Sequence, residues 1–192
     1  MTPDVGQLAP DFSLVDSTGA PRSLASLVAA RPLVLVFYRG HWCPFCLRQL
    51  EEYARMHAAI GAAGADVAAL SVDSPERAEA MRRQLALPFP VLSDSARAVV
   101  REWDVYNADE KGGIAIPSVF VIGPDRRVRW RSIDGTVARV STDGVLGFLR
   151  DGATAAQPAR KAAFPGLRDW VRAIGNVARR GTVTPHASGG GD

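Results

Sequence analysis

The segment FYRGHWCPFCLRQL, residues 37 to 50, sets the chain's two cysteines, Cys43 and Cys46, three positions apart. Two thiols at that spacing on a first helical turn come close enough for a reversible bridge, so that one attacks and the other resolves. A helix beginning at or near Cys43 presents unpaired backbone N–H groups and the positive end of its dipole, both of which favour a thiolate. Arg39 and His41 on the approach add positive charge, and Trp42 and Phe45 flank the thiols with apolar surface. A structural zinc site is the rival reading, but it needs four ligands. His41 is near, whereas His57 lies eleven residues beyond Cys46, about 16 Å down a helix at 1.5 Å per residue. The residues therefore point to thiol redox chemistry, with no metal and no cofactor expected.

The elements that must hold these thiols are legible around them. RPLVLVFY (31 to 38) is a continuous apolar run, as in a strand buried on both faces. From Cys43 the pattern turns helical through Leu47, Leu50 and Tyr53 and ends at Gly61 and Gly64. ADVAALSVD (65 to 73) reads as a second buried strand, and SPERAEAMRRQL as a helix with Ser74 at its cap and Pro75 at its first position. LPFPVLSD reads as a loop, after which a helix starts, capped by Asp94 or Ser95. PSVFVIGPDRRVRWRSI predicts two strands joined by a GPDR turn, and TDGVLGFLRD a final helix. Strand–helix alternation followed by a hairpin implies an α/β fold: a central mixed sheet with helices on both faces. Residues 1–150 read as one domain. Residues 151–192 read as a linker, a short basic amphipathic helix and a flexible tail, together a C-terminal helical extension.

In that helix Leu167, Trp170, Val171, Ile174 and Val177 share one face, which is expected to dock on the body or on a second copy of the chain. The net charge of +3 comes wholly from this region, since residues 1–150 carry 17 basic and 17 acidic side chains. A neutral body argues against a nucleic-acid partner. No segment approaches the roughly 20 apolar residues of a membrane span, and the first residues, MTPDVGQLAPDFSLVD, lack the pattern of a secretory signal. A cytoplasmic protein is the expectation, where a lone CxxC is catalytic or metal-binding rather than a staple.

WCPFC resembles the W-C-x-x-C of thioredoxins, and IPSVFVI (116 to 122) resembles the Ile-Pro strand element of the thioredoxin-like fold. That resemblance implies a cis Pro117 packed opposite the disulfide. The wider frame is similar to the peroxiredoxins of the alkyl hydroperoxide reductase and thiol-specific antioxidant family. APDFSLVDSTG, LVLVFYRG, VAALSVDSPE, FPVLSD and FVIGPDRRVRW occur in that family's order, over residues 5 to about 150. Laid on the family's P-x-x-x-T-x-x-C, Cys46 takes the peroxidatic place, Cys43 replaces the threonine and Arg39 the proline. The family's arginine just before FVIG is absent, since the chain reads AIPSV, and Arg39 is the candidate to supply its charge. Gln49 stands where an acid often follows the peroxidatic cysteine, and Phe37 where thioredoxins bury an aspartate.

Two enzymatic readings follow. In the first, a hydroperoxide oxidises Cys46, Cys43 resolves it, and an external thiol reductant (thioredoxin or a low-molecular-weight thiol) reduces the bridge. Any hydroperoxide pocket would then involve the loop at 107 to 117. In the second, Cys43 attacks the disulfide of a protein substrate and Cys46 releases the mixed intermediate. The third reading is a redox-sensing interaction module, which would need the C-terminal helix to be tied to the cysteine loop; nothing in the sequence ties them. A homodimer is compatible with all three.

Overall fold

The computed structural model describes residues 1–135, 137–152, 160–162 and 164–182. A hairpin of β1 (Ser13–Asp16) and β2 (Pro21–Ser23) leads into α1 (Leu24–Val28). Then come β3 (Leu33–Phe37), α2 (Pro44–Ala62), β4 (Asp66–Ser71), α3 (Pro75–Gln84) and β5 (Val91–Ser93). After α4 (Ala98–Glu102) a small pair, β6 (Tyr106–Asn107) and β7 (Ile114–Ala115), precedes the hairpin β8 (Ser118–Ile122) and β9 (Val128–Ile133). The chain continues through β10 (Ala138–Val140), α5 (Thr142–Asp151), β11 (Arg160–Ala162) and α6 (Leu167–Arg180).

Seven strands form a mixed sheet in the order β2-β1-β5-β4-β3-β8-β9. β3 runs parallel to β4 and antiparallel to β8, and β4 runs parallel to β5. Every residue of β3 is buried, which explains its unbroken apolar run: a central strand has no solvent face to pattern. Trp103 closes the core, with its ring centroid 5.3 Å from Phe37 and 5.0 Å from Phe120. The helix starts later than expected, with Arg97 rather than Asp94 or Ser95 as the N-cap of α4, while the Asp94 carboxylate accepts the N–H groups of Ala98 and Val100 in its first turn. Among the described residues no helix is long and apolar enough to cross a membrane.

Four other expectations need correction. Pro117 is trans, as is every peptide bond among the described residues. Ile116 N–H bonds the Val105 carbonyl and the Pro117 carbonyl accepts from Asp134, so the chain enters β8 extended, a path that trans Ile-Pro satisfies. LPFPVLSD contains β5, whose three residues are too few to stand out between prolines. The expected linker contains β11, which pairs antiparallel with β10; the flexible tail beyond Thr182 lies outside the described residues.

The fourth correction concerns α6. It packs on the body through Asp169, Ala173 and Asn176, while Leu167, Val171 and Ile174 stay exposed. The ground it meets is polar, so its polar side makes the contact: Arg172 pairs with Glu51, and Asn176 Nδ2 donates to the His41 carbonyl at 2.7 Å. Trp170 sits at the edge, with its ring centroid 6.4 Å from that of Phe45. The tail is therefore tied to the cysteine loop.

Replacing Trp103 with Ala removes the largest side chain of the core, and the expected cost is about 3–5 kcal/mol of unfolding free energy. Urea denaturation of the two proteins measures it, and an unchanged midpoint would contradict this packing.

Candidate active site

Cys43 is the N-cap residue of α2 and Cys46 its third helical residue, with Pro44 between them at the first position, where no N–H is needed. Both thiols are unbridged and fully buried. Cys46 Sγ accepts the backbone N–H of Arg39 at 3.4 Å and Nη2–H of Arg139 at 3.7 Å. Burial pushes the Cys46 thiol up, but the hydrogen bond from Cys43, the Arg139 charge and the Arg39 N–H outweigh it and bring the pKa down to about 6. Cys43 moves the opposite way, because its proton is held in the hydrogen bond to Cys46 and burial adds to that. The pair is thus a thiolate and a thiol donating to it.

Arg39 lies over Cys43, with Nη1 3.9 Å from its Sγ, and is ion-paired with Glu110. The Trp42 ring carries two cations, the Arg39 guanidinium at 5.0 Å and the Lys111 ammonium at 4.7 Å from its centroid. The loop at 107 to 117 therefore does reach the site, through Glu110 and Lys111. Gly40, at φ +154°, makes the close turn possible: a Cβ there would lie 2.5 Å from Trp42 Nε1.

His41 hydrogen-bonds Asp73. Its Nδ1 meets Asp73 Oδ1 at 2.7 Å and its backbone N–H bonds Asp73 Oδ2 at 2.8 Å. Ser71 also donates to Asp73 Oδ2, so His41 pins the cysteine loop to the end of β4. Pro117 is buried and acts at one remove: its carbonyl holds Asp134, whose Oδ2 accepts the Val140 N–H next to Arg139.

The residue that sequence reasoning missed is Arg139. It is 2% exposed, and its Nη1 is anchored on the carbonyls of Gly135 and Ala138. The signal was a lone charge among small apolar residues in TVARVST. Its distance from Cys46, 93 positions along the chain, hid the meaning.

The AhpC/TSA family model matches residues 5–131. The chain belongs to the AhpC/TSA family. It is 30% identical over 132 residues to Peroxiredoxin 2 of Thermoplasma acidophilum, covering 66% of this chain and 64% of that relative. It is 31% identical over 127 residues to a putative peroxiredoxin of Mycobacterium tuberculosis, covering 64% and 80%. Among solved structures, peroxidoxin BcpB of Mycobacterium tuberculosis aligns with TM-score 0.70 and 25% identity over 79% of this chain and 99% of that one. The chain spans 64% of the length of Peroxiredoxin 2 and 53% of a chloroplastic peroxiredoxin Q of Sedum lineare. As an AhpC/TSA member it keeps the thioredoxin-like fold, and it meets Cys46 with an arginine from β10 rather than from the start of β8.

Arg139→Met removes a charge and a donor from Cys46, so at pH 5, below the Cys46 pKa of about 6, alkylation of Cys46 by iodoacetamide is expected to slow about tenfold for one pKa unit of lost thiolate population. Arg39→Met leaves the Arg39 N–H in place and should slow it less. The reverse ranking would remove Arg139 from the site.

Proposed function

We propose that this chain is a thiol peroxidase in which Cys46 is the nucleophile and Cys43 the resolver. The observation that carries the reading is the asymmetry of the pair, with Cys46 held as a thiolate by Arg139 and the Arg39 N–H and Cys43 kept protonated beside it. The thiolate sulfur attacks the distal oxygen of a hydroperoxide, the O–O bond breaks, and the alkoxide or hydroxide leaves with a proton. Cys46 becomes a sulfenic acid. Cys43 then attacks that sulfur, water departs and the Cys43–Cys46 disulfide forms, to be reduced by an external thiol. Charge that spreads onto the leaving oxygen in the transition state is met by the same guanidinium that held the thiolate. Thiol–disulfide exchange on a protein partner would instead need an exposed, ionised Cys43, and this one is buried with its pKa raised.

Reduced protein mixed with hydrogen peroxide in stopped flow is expected to react far faster than a free thiol, with the rate lost in Cys46→Ser. Cys43→Ser should still consume one equivalent and stop at the sulfenic acid. The rate should climb with pH through about 6, where the Cys46 thiolate forms, and level off above it. A free-thiol rate in the wild type, or a rise centred near pH 8.5 as for an ordinary cysteine, would sink the proposal.

A further inference from the structure

A cleft of about 370 Å³ opens between α2 and the segment joining β10 to α5. Three buried side chains line it, and each has one polar atom with no hydrogen-bond partner among the described residues: Arg139 Nε, Gln49 Oε1 and Thr142 Oγ1. Buried polar atoms left in this state cost about 1–3 kcal/mol each, so three of them on residues that line one cleft, just beneath its surface, point to a ligand seat. Arg139 joins the cleft to the chemistry, because the guanidinium whose Nε is unpartnered there also donates through Nη2 to Cys46 at 3.7 Å.

The charges around the seat are of both signs. Arg139 offers a cation, and Asp143, exposed in the first turn of α5, offers a carboxylate. Glu52 is already engaged by Arg48 at 3.5 Å and Arg55 at 3.9 Å. A neutral or simply anionic ligand leaves half of this set unused. A zwitterion uses both halves, with its carboxylate on Arg139 and its ammonium on Asp143 and the Gln49 carbonyl. The burial of both cysteines bears on the same question: a small thiol fits a cleft of this size without the chain around the cysteines having to open.

We infer that the cleft seats the reductant, and that the reductant is a low-molecular-weight thiol carrying an α-amino acid group, with the cysteine skeleton as its smallest form. The inference rests on the peroxidase reading for its place in the cycle. The seated thiolate attacks Cys46 of the Cys43–Cys46 disulfide, forming a mixed disulfide. The Cys43–Cys46 bond breaks and the electron pair leaves on Cys43, beside Arg39. The hydrogen bond to a Cys46 thiolate, which raises Cys43 most, is absent at that moment. Cys43 takes a proton. A second molecule of the thiol attacks the sulfur of the first, releasing the small-molecule disulfide and restoring the Cys46 thiolate.

The test uses the full-length chain, oxidised with one equivalent of hydrogen peroxide and mixed in stopped flow with L-cysteine, cysteamine or 3-mercaptopropionate at matched thiolate concentrations. Tryptophan fluorescence, with Trp42 beside the site, reports reduction. Saturation with L-cysteine, at a rate about tenfold above either half-ligand (one charge-assisted hydrogen bond apiece), supports the seat. Loss of that preference in Thr142→Val and in Gln49→Leu supports it further. Equal, unsaturable rates for the three thiols overturn it, as does reduction by thioredoxin alone. Fast peroxide oxidation of the reduced protein with no cysteine preference would remove the seat and leave the peroxidase. Slow peroxide oxidation with the preference intact would remove the peroxidase and keep the seat.

Discussion

A negative charge without water around it is the constraint to which the rest of this molecule answers. A buried thiolate loses its hydration, and a lone charge in that position would take up a proton rather than persist. At Cys46 the compensation comes from three parts of the chain: the Arg39 N–H on the loop after β3, the Cys43 thiol at the helix cap, and the Arg139 guanidinium on β10. None of the three suffices alone against burial. Their convergence requires that β3, α2 and β10 be held in register, which is the task of the sheet and of the small polar contacts around it.

Those contacts form two latches. On one side Asp73 gathers His41 and Ser71, and Ser93 of β5 bonds the Asp73 carbonyl, so the cysteine loop is fastened to two neighbouring strand ends. On the other, the Pro117 carbonyl and Asp134 fix the start of β10 and with it Arg139. Asn176 adds a third tie by satisfying the His41 carbonyl, which otherwise faces α6 unpaired. This explains why an amphipathic helix lies with its apolar face outward. The groups it meets are polar, and an apolar face laid on them would leave the His41 carbonyl and Glu51 without partners.

The departures from the family's pattern are chemically coherent with one another. Where the resemblance places a threonine, Cys43 supplies a thiol that donates to Cys46. Where it implies an acid three residues on, Gln49 leaves a neutral amide facing a cleft shared with Arg139. One substitution puts a second sulfur at the cap of the helix. The other leaves a neutral side chain in the wall beside Arg139.

The longer strands, most of the helices and the two cysteines were readable from the chain itself, because local periodicity and the CxxC spacing are set by residues close in sequence; the two- and three-residue strands were not. β3 shows its burial as an unbroken apolar run, and β8 as a nearly unbroken one. Proximity in sequence puts Arg39 and Trp42 beside the cysteines, but it leaves the direction of His41 open, since that depends on Asp73, 32 positions away. Which face of α6 docks was decided by the polarity of the surface it meets, and a helix carries no record of that surface. Arg139 was likewise invisible, because its meaning lies in a contact across 93 positions. The sequence determined that two thiols would meet at the head of a helix. Only the tertiary structure decided which of them is favoured as the thiolate, because that choice rests in part on a guanidinium brought in from a distant strand.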